Sequence, residues 1–318
     1  MDKTIQLTLA FQEKAYYRYA FVAFHDTSLT TYNDSTLELT LTYGDNGDEM
    51  KSDLLNRLNP QNVILVDFAL KGPMGDFRSD LAELILKCML SANVCLAHPI
   101  QEDALHRFRV DLRTLRSFLY YARHLKIDGF QSLSLKLKLL SKSSNAARDN
   151  EVMAMLYKQY GSKYDQIPVV LSALRMEEAA DVLRRQATEV WIDGIAEIMK
   201  AERHAEFHDS LEVVTRKQWK KLKRRCLDLD MKDDVSMHRL RIDLKKLSAA
   251  LRVLLSHDYE LESRLDQVKT IQSELGQIRD LRRFYILPGL DAQTRYRAVS
   301  KLTTLEEQFK ERFDPKSN

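Results

Sequence analysis

The chain has 318 residues, 44% hydrophobic and 30% charged, with a formal net charge of +3. That balance fits a soluble globular protein with a core of its own rather than a disordered or membrane one. Nine Gly and six Pro in this length favour long uninterrupted helices, and no apolar run reaches the roughly 18 residues of a membrane span. The start, Met1-Asp2-Lys3, lacks the layout of a secretory leader. Cys88, Cys95 and Cys226 form no paired-cysteine motif. They read as reduced thiols of a cytoplasmic protein, with no metal or cofactor implied.

Charge is unevenly spread. Residues 1–100 carry 8 Lys and Arg against 13 Asp and Glu, a net of −5, whereas residues 101–318 carry 41 against 33, a net of +8. Solvated helix faces produce such differences routinely, so the positions of the cations have to decide what they mean.

In chain order, Ile5–Phe11, Tyr19–Phe24, Leu37–Tyr43 and Asn62–Leu70 are rich in β-branched and aromatic residues and predict strands. Polar clusters at residues 30–34 and 44–48 predict turns between them, and Gly72, Pro73 and Gly75 close the last. Residues 1–75 are thus expected to be a small β-containing extension. From Asp76 the apolar period becomes that of helices. The segments are Phe77–Val94, Glu102–Leu125, Leu133–Ser141, Asp149–Tyr160, Pro168–Met199, His208–Leu227, Val235–Ser256, Tyr259–Ile278 and Thr294–Phe313. Breaks are expected at Asp128-Gly129, Gly161, Asp209-Ser210, His257-Asp258 and Pro288-Gly289. The body is all-α.

An internal repeat is the most informative feature. Leu105-His106-Arg107-Phe108-Arg109-Val110-Asp111-Leu112-Arg113-Thr114-Leu115 returns, 132 residues on, as Met237-His238-Arg239-Leu240-Arg241-Ile242-Asp243-Leu244-Lys245-Lys246-Leu247. Six of the 11 positions are identical. Lys138 and Arg148-Asp149 then return as Lys269 and Arg279-Asp280 at an offset of 131. Two pairs in order, almost equally spaced, mean duplication. The expected architecture is two related halves, about 76–207 and 208–318, around a pseudo-twofold axis.

His106, Arg109, Arg113 and Arg116 fall at about 0°, 300°, 340° and 280° around a helix, a stripe roughly 80° wide. His238, Arg241 and Lys245 repeat it, with Ser248 at the position of Arg116. Stacked like charges cost a few tenths of a kcal/mol per pair, so a stripe present twice points to an anion held there. Pairing with helix carboxylates such as Asp111 or Glu102 is the other reading. Phe108, Leu112, Leu115 and Leu119 form the apolar face that sends the cations outward. Asp149 and Asp280 are expected to begin the next helix as N-caps or first-turn carboxylates, and Arg148 and Arg279 either contact ligand or support a carboxylate; Lys138 and Lys269, 11 residues upstream, could face the same groove. His204 and His208 lie four apart, but without a third ligand they imply no metal. No phosphate-binding glycine loop or nucleophile elbow is present, and nothing assembles a nucleophile, a base and an orienting group.

The two helices resemble the signature helices of the CHAD family, the conserved histidine α-helical domain: His-x-x-Arg-Val-x-x-Arg-x-x-Arg at His106–Arg116 and His-x-x-Arg-Ile-x-x-Lys at His238–Lys245. Lys269-x-x-Gln272-x-x-Leu275-Gly276-x-x-Arg279-Asp280 resembles the stretch that follows them. The resemblance covers roughly 77–313. It implies two four-helix halves whose basic helices line a central groove, polyphosphate as ligand, and association with polyphosphate granules. The positions it marks as ligand-facing are His106, Arg109, Arg113, Arg116 and Lys138, then His238, Arg241, Lys245 and Lys269. Residues 1–75 lie outside it, and Glu38-Leu39-Thr40 does not supply the Glu-x-Glu-x-Lys strand of a triphosphate tunnel domain. The expected function is non-catalytic binding of polyphosphate or a similar polyanion. Nucleic-acid binding, which would want aromatics beside the cations, and docking of an acidic protein partner are the alternatives.

Overall fold

A computed structural model describes residues 3–11, 13–24, 27–33, 35–43, 46–71, 76–98, 101, 103–161, 167–202, 204, 206–255 and 261–313. Gly72, Pro73 and Gly75, the His257-Asp258 break and Glu102 lie outside these residues. The chain forms two compact units: residues 1–145 with 176–208, and residues 146–175 with 209–318.

In the first unit, strand β1 (Lys3–Phe11), helix α1 (Lys14–Ala23), strands β2 (Ser28–Asn33) and β3 (Thr36–Tyr43), helix α2 (Gly47–Arg57) and strand β4 (Val63–Lys71) follow one another. The sheet is antiparallel with order β2-β3-β1-β4. This βαββαβ order is the ferredoxin-like topology, so the extension forms a recognisable module. Alternation explains the sheet: Ile5, Leu7, Leu9, Leu37, Leu39, Leu41, Val63, Leu65 and Phe68 are buried, while Thr4, Gln6, Thr8 and Thr40 between them are not.

Two expectations here are corrected. Tyr19–Phe24 falls at the end of helix α1 and just beyond it, because Ala20 and Phe24, four apart, bury together. Its aromatics mimic strand propensity, which measures fit to a half-buried surface rather than a backbone rule. The polar cluster at residues 30–34 is mostly strand β2, whose threonines pair with β3.

Helix α2 is capped by Asn46, whose side chain accepts from Glu49 N at 3.1 Å. Its first residue, Gly47, abuts α7 (Ile167–Lys200) so closely that a Cβ would lie 2.2 Å from the Ala196 carbonyl oxygen. Lys51 of α2 pairs with the buried Asp193 of α7 at 2.6 Å. Lys136 of α5 (Gln131–Ser143) reaches the same carboxylate and Glu189 at 2.8 Å. Asn93 of α3 (Asp76–Ala97) donates to Leu65 O at 3.0 Å, and Thr188 of α7 donates to Val63 O at 2.6 Å. These side chains satisfy the edge strand β4 and seat the module on the helices.

Helix α4 (Ala104–His124) completes this unit, with Phe118 ringed by Phe77 and Phe207 at 5.2 and 5.1 Å. In the second unit lie α6 (Asn145–Tyr160, from its second residue), α8 (Phe207–Leu227, from Asp209), α9 (Asp234–Leu255), α10 (Glu262–Tyr285) and α11 (Ala292–Arg312). Helix α10 packs on both α9 and α11, burying Leu240, Leu244, Val268, Leu275, Ile278 and Ala298. Asp233 caps α9, accepting from Val235 N at 3.0 Å, and Asp291 caps α11, accepting from Thr294 N at 2.8 Å. Gly129 and Gly289 turn the chain with φ of 107° and 85°.

The duplication is visible in element order: α3, α4, α5 with α6, and α7 correspond to α8, α9, α10 and α11. Ser144 interrupts the first copy where α10 runs on unbroken.

Candidate functional site

Both signature segments are helical, α4 and α9, and in each the apolar positions are buried while the basic stripe stays at the surface or half-buried. In the first unit Arg109 reaches across to the end of α5. Its Nη1 donates to Ser144 Oγ at 2.6 Å and Ser141 O at 3.2 Å, and its Nη2 donates to Asn145 Oδ1 at 2.9 Å. These acceptors are neutral oxygens, and they orient the guanidinium. His106 and Arg113 are half-buried beside it. Burial pushes the pKa of Arg116 down. Lys138 is exposed at the far end of the stripe, where it lines a cleft with Tyr120 and Arg123.

The second unit repeats the arrangement with Lys245 in place of Arg113, Ser248 in place of Arg116 and Gly276 in place of Asn145. Arg241, the counterpart of Arg109, lies against Gly276, the counterpart of Asn145. A Cβ on Gly276 would meet Arg241 Nη2 at 3.2 Å and Nε at 3.5 Å. The glycine of the second motif therefore makes room for the guanidinium. Among the described residues, the buried Nε of Arg241 has no hydrogen-bond partner. Burial lowers the pKa of Arg241, Asp280 opposes that, and Arg279 and Arg148 add to the lowering.

His238 is held below its ordinary value first by burial and then by Arg279, Arg241 and Lys245. A cleft of about 480 Å³ opens beside it, lined by His238 and Arg239 of α9 and Arg279, Arg282 and Arg283 of α10. The cations in it are not equivalent. Arg282 is fully engaged, with Asp234 at 2.6 Å, Glu306 at 2.7 Å and Met231 O at 2.5 Å. Arg283 pairs with Asp149 at 3.2 Å. Arg279 has no ion-pair partner among the described residues, and it joins the His238–Arg241 group across from α9. Sequence reasoning left its role open; its place three residues after Gly276 was the available signal.

Asp149 and Asp280 do not cap helices: Asp149 is one turn inside α6, and Asp280 is deep within α10. Their carboxylates face arginines instead, Arg283 and Arg241. Lys269 is exposed and pairs with Asp266 at 3.2 Å; no described contact joins it to the α9 stripe. Asp243, the counterpart of Asp111, pairs with Arg225 at 2.6 Å and Lys246 at 3.7 Å, away from the stripe cations. His208 bonds Asp80 at 2.6 Å, and His204, outside α8, packs against the edge of Phe77. Among the described residues no group of three His, Cys, Asp or Glu could hold a metal, and no helix is long and apolar enough to cross a membrane. All three cysteines are buried.

Residues 85–284, well over half the chain, match the CHAD domain family. The chain belongs to the CHAD family. Its fold is similar to the crystal structure of the CHAD domain from the plant Ricinus communis, with a TM-score of 0.56 and 19% sequence identity, over 74% of this chain and 84% of that one. No curated protein matches it in sequence. The CHAD match begins inside α3, so the ferredoxin-like module precedes the family's core.

Proposed function

We propose that this CHAD protein binds inorganic polyphosphate or a similar polyanion without transforming it, using the stripe of His106, Arg109, Arg113 and Arg116 and the stripe of His238, Arg241 and Lys245, with Arg279 added. The observation that carries the reading is the group around Arg241. A half-buried guanidinium whose Nε has no partner, a second arginine without an ion-pair partner among the described residues, and a histidine whose pKa is lowered by burial and then by both arginines share one small region. Cations gathered at mutual cost are stabilised by an anion, and a chain of phosphates supplies one acceptor per cation along a helix face. Arginine forks bind phosphate oxygens bidentately, lysine binds as a point charge, and histidine contributes more strongly when protonated. The protein would reside in the cytoplasm, with polyphosphate granules.

Calorimetric titration with long-chain polyphosphate at low and high salt tests this, on wild type and on the double variant Arg109→Ala/Arg241→Ala. Binding is expected to weaken steeply with salt, as counterion release dictates for nucleic acids, and to be lost in the double variant. Absence of binding at low salt by a folded wild type would refute it. A magnesium-dependent release of phosphate would refute the non-catalytic part.

A further inference from the structure

The two copies of the repeat have diverged at the far end of the basic stripe. On α4 the helical spacing of His106, Arg109, Arg113 and Arg116 continues to Tyr120, whereas Arg252 stands there on α9. Three residues before Lys138 is Leu135; three before Lys269 is Asp266, which pairs with that lysine at 3.2 Å. Lys138 and Arg123, by contrast, have no ion-pair partner among the described residues. The second copy ends in Arg252 and an ion-paired lysine, and the first ends in a tyrosine within a cationic corner with apolar walls.

That corner is a cleft of about 260 Å³ within the first unit, between α4, α5 and the turn joining them. Tyr120, Leu135 and Ile127 contribute its apolar surface, Arg123 and Lys138 its positive charge, and Asp128 a carboxylate. The turn passes through the left-handed region at Lys126, with φ of 61°, and has φ of 107° at Gly129. The Tyr120 ring is set in place: its hydroxyl lies 2.7 Å from His124 Nε2, and its plane meets that imidazole edge to face at 4.6 Å. Tyr120 is 37% exposed and Leu135 57%, so a ligand can reach both.

We propose that this corner binds the nucleoside end of a nucleoside oligophosphate, with the base against Tyr120 and Leu135 and the phosphates running over Arg123 and Lys138 towards Arg116. The proposal rests on the polyanion reading for the phosphate part and adds the nucleoside. Pockets that enclose a whole drug-sized ligand measure about 300–1,000 Å³, so this cleft suits a base with part of its ribose and leaves the phosphates outside on the cations. Asp128 is an acceptor for ribose hydroxyls or for an exocyclic amine. A pre-set aromatic ring gains stacking with little ordering cost, and every base has a face to offer it.

The test compares ATP with inorganic tripolyphosphate by calorimetry, both metal-free and at equal ionic strength, on wild type, Tyr120→Leu and Leu135→Asp, with long-chain polyphosphate on the same samples. ATP is expected to bind about tenfold more tightly than tripolyphosphate, in line with the loss of one stacked base. Tyr120→Leu should erase that difference and leave tripolyphosphate unchanged. Leu135→Asp, which reproduces the Asp266–Lys269 pairing, should weaken ATP. Both positions are exposed, and unchanged melting curves will confirm folding. Equal wild-type affinity for ATP and tripolyphosphate, or a Tyr120→Leu effect shared by both, overturns the proposal. An RNA decamer losing more affinity than ATP on Tyr120→Leu would overturn it in favour of a nucleic acid. If polyphosphate binds and ATP gains nothing from its nucleoside, only the corner's assignment fails; if ATP binds and polyphosphate does not, the stripe reading fails instead.

Discussion

Arg241 lies across the bare face of Gly276, its Nη2 3.2 Å from where a Cβ would stand. In the other unit the corresponding Arg109 donates to Asn145. One repeat makes room for the guanidinium by omitting a side chain, and the other binds it with one. In both, the signature arginine is positioned by the helix that follows.

Gly276→Ala separates these roles. The new methyl meets the far end of a flexible side chain, which can yield by a few tenths of an ångström, and alanine in a helix interior is favoured over glycine by about 0.5–1 kcal/mol. Thermal unfolding is expected to stay within about 1 kcal/mol of wild type. Displacement of Arg241 should weaken polyphosphate binding several-fold, which calorimetry will read.

Binding should depend on pH through His238. Its pKa lies below the ordinary value, from burial and then from Arg279, Arg241 and Lys245, so the free protein disfavours the protonated ring. A bound polyanion favours the protonated ring, and affinity is expected to rise as pH falls below about 6.5. In the free protein the sign reverses. A depressed folded pKa means the unfolded state takes up the proton first, so this group's contribution to stability is present above the unfolded pKa and lost as pH falls through it. His238→Asn should flatten the binding profile between about pH 5 and 7.

Arg279→Ala and Arg282→Ala, three residues apart on α10, should part company. Arg279 has no ion-pair partner among the described residues, so its loss is expected to weaken polyphosphate binding and reduce the salt dependence by about one charge, by analogy with phosphate contacts to nucleic acids. Arg282 ties α10 to Asp234, Glu306 and Met231 O. Its removal should cost about 1–3 kcal/mol of stability in denaturant titration, with polyphosphate affinity little changed.

Gly47→Ala tests how the ferredoxin-like module is seated. A Cβ there would lie 2.2 Å from the Ala196 carbonyl oxygen and 2.9 Å from its carbon, and backbone cannot swing aside as a side chain does. We expect destabilisation of about 1–3 kcal/mol or more, with faster amide exchange in α2 and β4.

Asp193→Asn probes the ion group beside it. Asp193 is buried and holds both Lys51 and Lys136. Both lysines keep about a third of their side-chain surface in water, so the cost of breaking the group is expected at about 1–3 kcal/mol, below that of a fully buried pair. Urea unfolding with an unchanged slope is the measurement.

The helical body, its duplication and the faces of α4 and α9 were legible in the sequence, because period and repetition are properties of one chain segment at a time. Four apolar residues at helical spacing, Phe108, Leu112, Leu115 and Leu119, already decide which side of α4 is buried. Residues 1–75 were half legible. Three of four strands follow from alternation, but Tyr19–Phe24 misled, since aromatic residues suit a strand and a packed helix equally until a partner surface exists. Tertiary structure decided the rest. It separated Arg279 from Arg282, although both are arginines on α10, by supplying Asp234 and Glu306 to one of them. It turned Asp280 from an expected cap into the carboxylate beside Arg241, and it tied Lys269 to Asp266 while leaving Lys138 beside Tyr120. Spacing along a helix says which side chains share a face, and only the packing of other elements against that face says which charges are cancelled and which are left for a ligand.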